Sequence, residues 1–245
     1  MNNINKTTNN FFVVENNREA GKRQFLIDYI NKLLQKFGFW HRLTPILNPA
    51  INMNSLEQRI NFYHLISNLV EHEIDGELVE LGSFTGQCAV LFQKILDAHG
   101  SKKELHLYDS FQVTFTIETS IEDELLNNFE KNKLALPIIH RGVFKDTLPT
   151  ELPEKICFAH IDCGFGGDKF EHKEMVLYCL QHLYPRLSKG GICVLMDYHD
   201  TASIDPGLDV NPGVKLATDE FLEDKPEDLI LLFGNEVSHA YFKKL

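Results

Sequence analysis

Residues 76–86 read Gly-Glu-Leu-Val-Glu-Leu-Gly-Ser-Phe-Thr-Gly. The turn dipeptide Asp75-Gly76 precedes a short apolar run, Leu78, Val79 and Leu81. Gly82 and Gly86 close the stretch. Ala89, Val90, Phe92, Ile95 and Leu96 then fall at helical spacing, and Gly100 stops that helix. Strand, glycine turn and helix, in that order, form the entry to a nucleotide-type site in α/β folds. The decisive detail is the glycine that is missing. A dinucleotide fingerprint needs a middle glycine so that the backbone can approach a pyrophosphate. Here that place is Phe84.

An acid, Glu80, lies two residues before Gly82 at the strand tip. A carboxylate there repels a diphosphate. It suits a ligand with an ammonium group and no phosphate, of which S-adenosylmethionine is one.

Outward from this turn, strands and helices alternate. Glu104–Asp109 reads as a strand ending on an acid, and Ile121–Leu134 as a helix entered through Glu122, Asp123 and Glu124. Pro137–His140 is a short strand. Lys155–Asp162 is an apolar strand, again ending on an acid, before Gly164, Gly166 and Gly167. A helix over 171–187 leads to Lys189-Gly190-Gly191 and the buried strand Ile192–Asp197. Tyr198–Pro212 is a polar loop and Val214–Leu222 a helix. Leu229–Phe233 and Ser238–Phe242 form a terminal hairpin. This order predicts an α/β fold with a doubly wound, mostly parallel sheet. Before it, periodic runs predict helices over 25–37 and 54–73. The expected organisation is a loose arm over 1–20 that contains Phe11–Val14, a helical extension over 21–75, and an α/β domain over 76–245. Trp40–Asn52 reads as a loop.

Composition narrows the function. Hydrophobic residues make up 43% of the 245, enough for one sizeable core. Acids outnumber bases 35 to 24, a formal charge of −11, which disfavours broad contact with nucleic acid or anionic membrane. The five cysteines show no C-x-x-C pair and read as free buried thiols in a reducing compartment. No apolar run is long enough to span a bilayer. The expectation is a cytoplasmic protein with a small-molecule substrate.

Glu80, Asp109, Asp162 and Asp197 each close, or nearly close, an apolar run. Ligands of open parallel sheets bind outside the carboxyl ends of the strands. If the strands carrying Asp162 and Asp197 are neighbours, their backbones lie about 5 Å apart. Two carboxylates so placed share a proton or a cation, and oxygen-only ligands suit Mg²⁺. His160 points to the face opposite Ile161 and is a lesser catalytic candidate. Asp109 stands where an acid meets ribose hydroxyls, or else caps an Asp-Ser turn.

The chain resembles the macrocin O-methyltransferase (TylF-type) family of class I S-adenosylmethionine-dependent methyltransferases. The match rests on Gly76–Gly86, Tyr108–Phe111 (YDSF), Phe144–Pro149 (FKDTLP), Phe158–Asp162 (FAHID), Leu183–Leu187 (LYPRL), Gly190-Gly191, Asp197-Tyr198 and Pro212–Leu222. It runs from about residue 50 to 242. The resemblance implies a Rossmann-like seven-stranded sheet with an antiparallel last strand. It implies methylation of a hydroxyl on a sugar-bearing small molecule, assisted by Mg²⁺, in a homodimer. By position, Glu80, Gly82, Ser83 and Gly86 line the methionine end, Asp109 meets the ribose and Ser110 lies by the adenosine. Asp162 matches the catalytic, metal-binding acid and Asp197 the second metal acid. The chain departs from the family at Met196, where one metal ligand is lost, and at Gly164, where a second Asp is usual. His199 and Asp200 are the local alternatives for completing a metal site. The alternative readings are a catalytically weakened cofactor-binding protein and a metal-independent methyltransferase with His160 or His199 as base.

Overall fold

The computed structural model describes residues 24–43, 53–114, 117–164, 167–203, 209–234 and 237–245. The expected arm over 1–20, much of the loop before Asn52, Gly166 and the turn residues 235–236 lie outside the described residues.

The elements run α1 (Gln24–Lys36), α2 (Leu56–Glu71), β1 (Glu77–Leu81), α3 (Gln87–His99), β2 (Leu105–Asp109), α4 (Ile121–Lys131) and β3 (Ile138–Arg141). They continue with α5 (Phe144–Glu151), β4 (Ile156–Ile161), α6 (Lys169–Leu183), a 3-10 turn (Tyr184–Arg186), β5 (Leu187–Met196), α7 (Pro212–Leu222), β6 (Leu229–Leu232) and β7 (His239–Lys243). Local chemistry sets many boundaries. Ser55 and Gln58 close a capping box at the start of α2. The Ser120 hydroxyl caps α4 ahead of its three acids, and the Asp168 carboxylate caps α6. Gly100 ends α3 in the left-handed conformation.

The strands form one seven-stranded sheet in the order β3-β2-β1-β4-β5-β7-β6. All are parallel except β7, which is antiparallel to both β5 and β6. The expected terminal hairpin is therefore the β6–β7 pair. Two apolar layers cover the faces. Val79, Leu81, Ala159, Ile161 and Leu195 meet residues of α6 and α7, such as Leu180 and Ala217. Leu78, Phe158 and Val194 meet Phe62 and Ile66 of α2 and Phe92 of α3.

Two differences from the sequence reading matter. The helix α5 is not evident from periodicity, because it is short and carries Pro149 inside it. The chain turns through Tyr184–Arg186 earlier than expected, so α6 ends at Leu183 and β5 begins at Leu187.

The sheet order reverses between β1 and β4, since the chain winds outward from β1 to β3 and then restarts at β4. The carboxyl ends of β1, β2, β4 and β5 share this rim. Ligand sites of doubly wound sheets form at such a switch point.

Candidate functional site

Gly82 begins the turn after β1. Its N–H donates to the Tyr108 carbonyl at 2.9 Å, while the N–H of Asp162 donates to the Leu81 carbonyl at 2.9 Å. The ends of β1, β2 and β4 are thus laced together. Gly82 has φ +88°, and a Cβ there would run into the carbonyl oxygen of Asp162. The resemblance places this glycine at the methionine end; the backbone approach of β1 to β4 requires it in any case. Phe84 also has positive φ, 45°. Gly86, at φ 75°, starts α3 with no side-chain cap, so the first N–H groups of the helix face the turn uncapped by a side chain.

Asp109 holds the turn from the neighbouring strand. One carboxylate oxygen accepts from the N–H of Phe84 at 2.9 Å and the other from the N–H of Phe111 at 2.7 Å. These bonds match the turn-cap role. Each oxygen keeps a second lone pair, so they do not exclude a ribose contact. The Ser110 hydroxyl accepts weakly from the Gln112 N–H at 3.4 Å. The Ser83 hydroxyl is buried with no hydrogen-bond partner among the described residues.

Glu80 lies beneath the turn and is 1% exposed. Its Oε1 stands 3.0 Å from Nδ1 of His160, its register partner on β4. Burial holds the Glu80 carboxyl well above the usual range; the nearby Ser83 hydroxyl offsets part of this without closing a well-formed hydrogen bond. His160 is fully buried, edge-on to the rings of Phe62 and Phe92. Burial lowers its pKa to about 4 and keeps it neutral. The structure thus joins His160 to Glu80 and does not give it an open face on the rim.

Asp162 and Asp197 follow the ends of adjacent strands β4 and β5, as the spacing predicts. Burial first, and Asp197 second, hold the Asp162 carboxyl well above the carboxylate range. Asp197 is raised as well, again mainly by burial, with the Asn211 hydrogen bond opposing. Its backbone is left-handed at φ 61°, a conformation Asp tolerates better than most residues. The Asn211 amide donates to Asp197 Oδ2 at 2.6 Å. A Cβ on Gly164 would run into that amide and lie 3.3 Å from Asp197 Oδ2. The Asn211 amide fills the space beside Gly164.

Asn211 is a site residue the sequence reading passed over. Its position just before Pro212 marks it as an N-cap. It occupies that position without making a cap hydrogen bond, and its side chain goes to Asp197 instead. His172 on α6 is a second such residue, close enough to Asp197 to oppose its raised pKa. The local alternatives have other partners. His199 is buried against the Ser238 hydroxyl at 2.8 Å, and Asp200 closes its own turn with Ser203 at 2.7 Å. Met196 is buried in the apolar layer.

The sheet order, the single antiparallel strand and the rim at the switch point define the class I methyltransferase fold. The chain belongs to the macrocin-O-methyltransferase (TylF) family, which it matches over residues 48–139 and 117–208. It is 25% identical over 171 residues to the 8-demethyl-8-(2,3-dimethoxy-alpha-L-rhamnosyl)-tetracenomycin-C 4'-O-methyltransferase of Streptomyces olivaceus, covering 61% of this chain and 63% of that one. It is 26% identical to the demethyldecarbamoylnovobiocin O-methyltransferase of Streptomyces niveus, with the same coverage. The match thus spans less than two thirds of either relative. The solved structure of the O-methyltransferase NovP superposes with a TM-score of 0.64 at 22% identity, over 90% of this chain and 98% of that one.

Proposed function

We propose that this protein is an S-adenosylmethionine-dependent O-methyltransferase acting on a hydroxyl of a small polyhydroxylated or sugar-bearing molecule. The observation that carries the proposal is the Asp162–Asp197 pair beside the glycine turn, at the switch point of this fold. A relative named for methylation of a rhamnosyl-bearing molecule supports it, as does the fold shared with an enzyme titled a TDP-rhamnose 3'-O-methyltransferase.

The turn fits the cofactor. The unpartnered Ser83 hydroxyl, the uncapped start of α3 and the spare lone pairs of Asp109 offer polar groups along one edge. Glu80 lies beneath, where the methionine ammonium would sit and, once bound, would favour the ionised carboxylate against the burial that raises its pKa. Bound there, S-adenosylmethionine supplies an electrophilic methyl group on a sulfonium. Asp109 and Ser110 orient the nucleoside end, and the turn holds the donor in line with the acceptor.

Asp162 takes the proton of the substrate hydroxyl. Burial raises its pKa, and its ionised form accepts the proton as a stronger base than an exposed carboxylate. Asp197, fixed by Asn211, sets the geometry on the other side of the acceptor. The two carboxylates would hold a largely hydrated Mg²⁺, which lowers the pKa of a bound hydroxyl. The donor set fits such an ion but is sparse, because Asn211 already engages one Asp197 oxygen. The remaining parts of the proposal are a homodimer, which light scattering showing a monomer would remove, and a reducing, cytoplasmic setting that suits five free buried cysteines. No helix among the described residues is long and apolar enough to cross a membrane.

The test is methyl transfer from labelled S-adenosylmethionine to a panel of rhamnosylated and other glycosylated acceptors. Asp162→Asn should lower the rate by roughly 10²–10⁴-fold, the usual value of a general base, with cofactor affinity nearly intact. Undiminished transfer in Asp162→Asn would remove the catalytic assignment. Undiminished transfer in EDTA would remove the metal.

A further inference from the structure

Beneath the glycine turn, three side chains from three elements converge. The methyl-transfer reading leaves two of them without a task. Glu80 comes from β1, His160 from the facing position on β4, and Cys88 from the first turn of α3. All are buried, at 1%, 0% and 5% exposure. One carboxylate oxygen, one imidazole nitrogen and the thiol sulfur lie within 4.8 Å of one another. Glu80 Oε2 and His160 Nε2 have no hydrogen-bond partner among the described residues. The Cys88 thiol donates to Asn54 Oδ1 at 3.1 Å. The Ser83 hydroxyl offsets part of the burial of Glu80 but closes no well-formed hydrogen bond, so Oε2 lacks a full partner.

We propose that Glu80, Cys88 and His160 form a binding site for a thiophilic divalent cation of the Zn²⁺ type. Thiolate, imidazole and carboxylate are the ligand types such an ion takes, at about 2.0–2.3 Å. Tetrahedral ligands at those lengths stand about 3.3–3.8 Å apart, a short contraction from the spacing seen. Mg²⁺ is a poor match, since a thiolate is too soft for it. A dication with a thiolate and a carboxylate carries no net charge, which suits a buried site. The thiol proton of Cys88, and the carboxyl proton of Glu80 where it is protonated, leave to solvent as the ion binds. The imidazole stays neutral and carries its one proton on Nε2. Charged groups around the trio act both ways: Arg59 on α2 opposes a cation, while Asp109 and Asp162 favour one. The ion would fasten the start of α3 to the two central strands. The ion and the methionine ammonium of the proposed function would share Glu80, so the metal is titrated with no cofactor present, which separates the two readings.

The test uses the full chain, reduced with a phosphine, stripped by chelator and titrated with Co²⁺ and then Zn²⁺. One equivalent of Co²⁺ should give a thiolate-to-metal absorption band that Zn²⁺ removes, and Zn²⁺ should raise the melting temperature. Cys88→Ser should abolish the band and weaken Zn²⁺ by at least about 10–100-fold, the loss found even for outer-shell partners. Cys163→Ser is the control, since Cys163 lies 4.0 Å from His172 and is the competing thiol–imidazole pair; it should keep the band. If Cys88→Ser does not fold, loss of the band in His160→Gln serves instead. Co²⁺ binding without the band, a band that survives Cys88→Ser, or a band lost in Cys163→Ser would each overturn the proposal.

Discussion

Gly82 shows how one residue serves two levels. Its positive φ and the approach of the Asp162 carbonyl both forbid a side chain. Gly82→Ala should therefore destabilise the fold by roughly 1–3 kcal/mol or more, as overpacking does. Thermal unfolding would measure this; an unchanged melting temperature would mean that the strand ends are not laced as described. Four strand-end acids were legible in the sequence because each closes an apolar run. What they touch was not. That Glu80 pairs with His160 depends on β1 lying beside β4, a neighbour relation that spans residues 80 and 160. That Asn211 lies over Gly164 and binds Asp197 depends on positions 164 and 211 meeting in space. Such contacts leave no local period to read.

At the scale of elements, α2 is less an extension than a layer of the sheet. It buries Phe62, Ile66 and Leu69 against the strands. It is also tied to the terminal hairpin. The Asn61 amide donates to the Phe233 carbonyl at 3.0 Å and faces His239 Nε2 at 3.2 Å, while Gln58 donates to the Val237 carbonyl at 3.3 Å. Asn61→Ala should cost about 0.5–1.5 kcal/mol by removing these hydrogen bonds. Denaturant unfolding checks this, and a loss below a few tenths would detach α2 from the hairpin. The helix α1 differs, because its Phe25, Leu26 and Tyr29 are exposed at 81%, 56% and 53%. Sequence periodicity found both helices but could not distinguish a covered face from an uncovered one. It missed α5, where Pro149 and a length of eight residues hide the pattern.

At the scale of the whole molecule, buried histidines shape the response to acid. Burial lowers the pKa of His239 from 6.5 to about 3. The unfolded chain therefore binds a proton below 6.5 that the folded chain refuses, so stability falls with pH through this window and is fully present above it. His239→Gln should reduce the slope of unfolding free energy against pH there by about 1.4 kcal/mol per unit, the worth of one proton. Parallel pH series of denaturant melts would show it, and identical slopes would mean that His239 is not buried neutral. The central claim remains the cofactor, on which the substrate and metal readings both depend. Calorimetry with S-adenosylhomocysteine tests it most directly. The account predicts one saturable site per chain, weakened by about 1–3 kcal/mol in Asp109→Ala, as for a lost charged hydrogen bond. No heat of binding in the folded wild-type protein, or an affinity unchanged by Asp109→Ala, would contradict it.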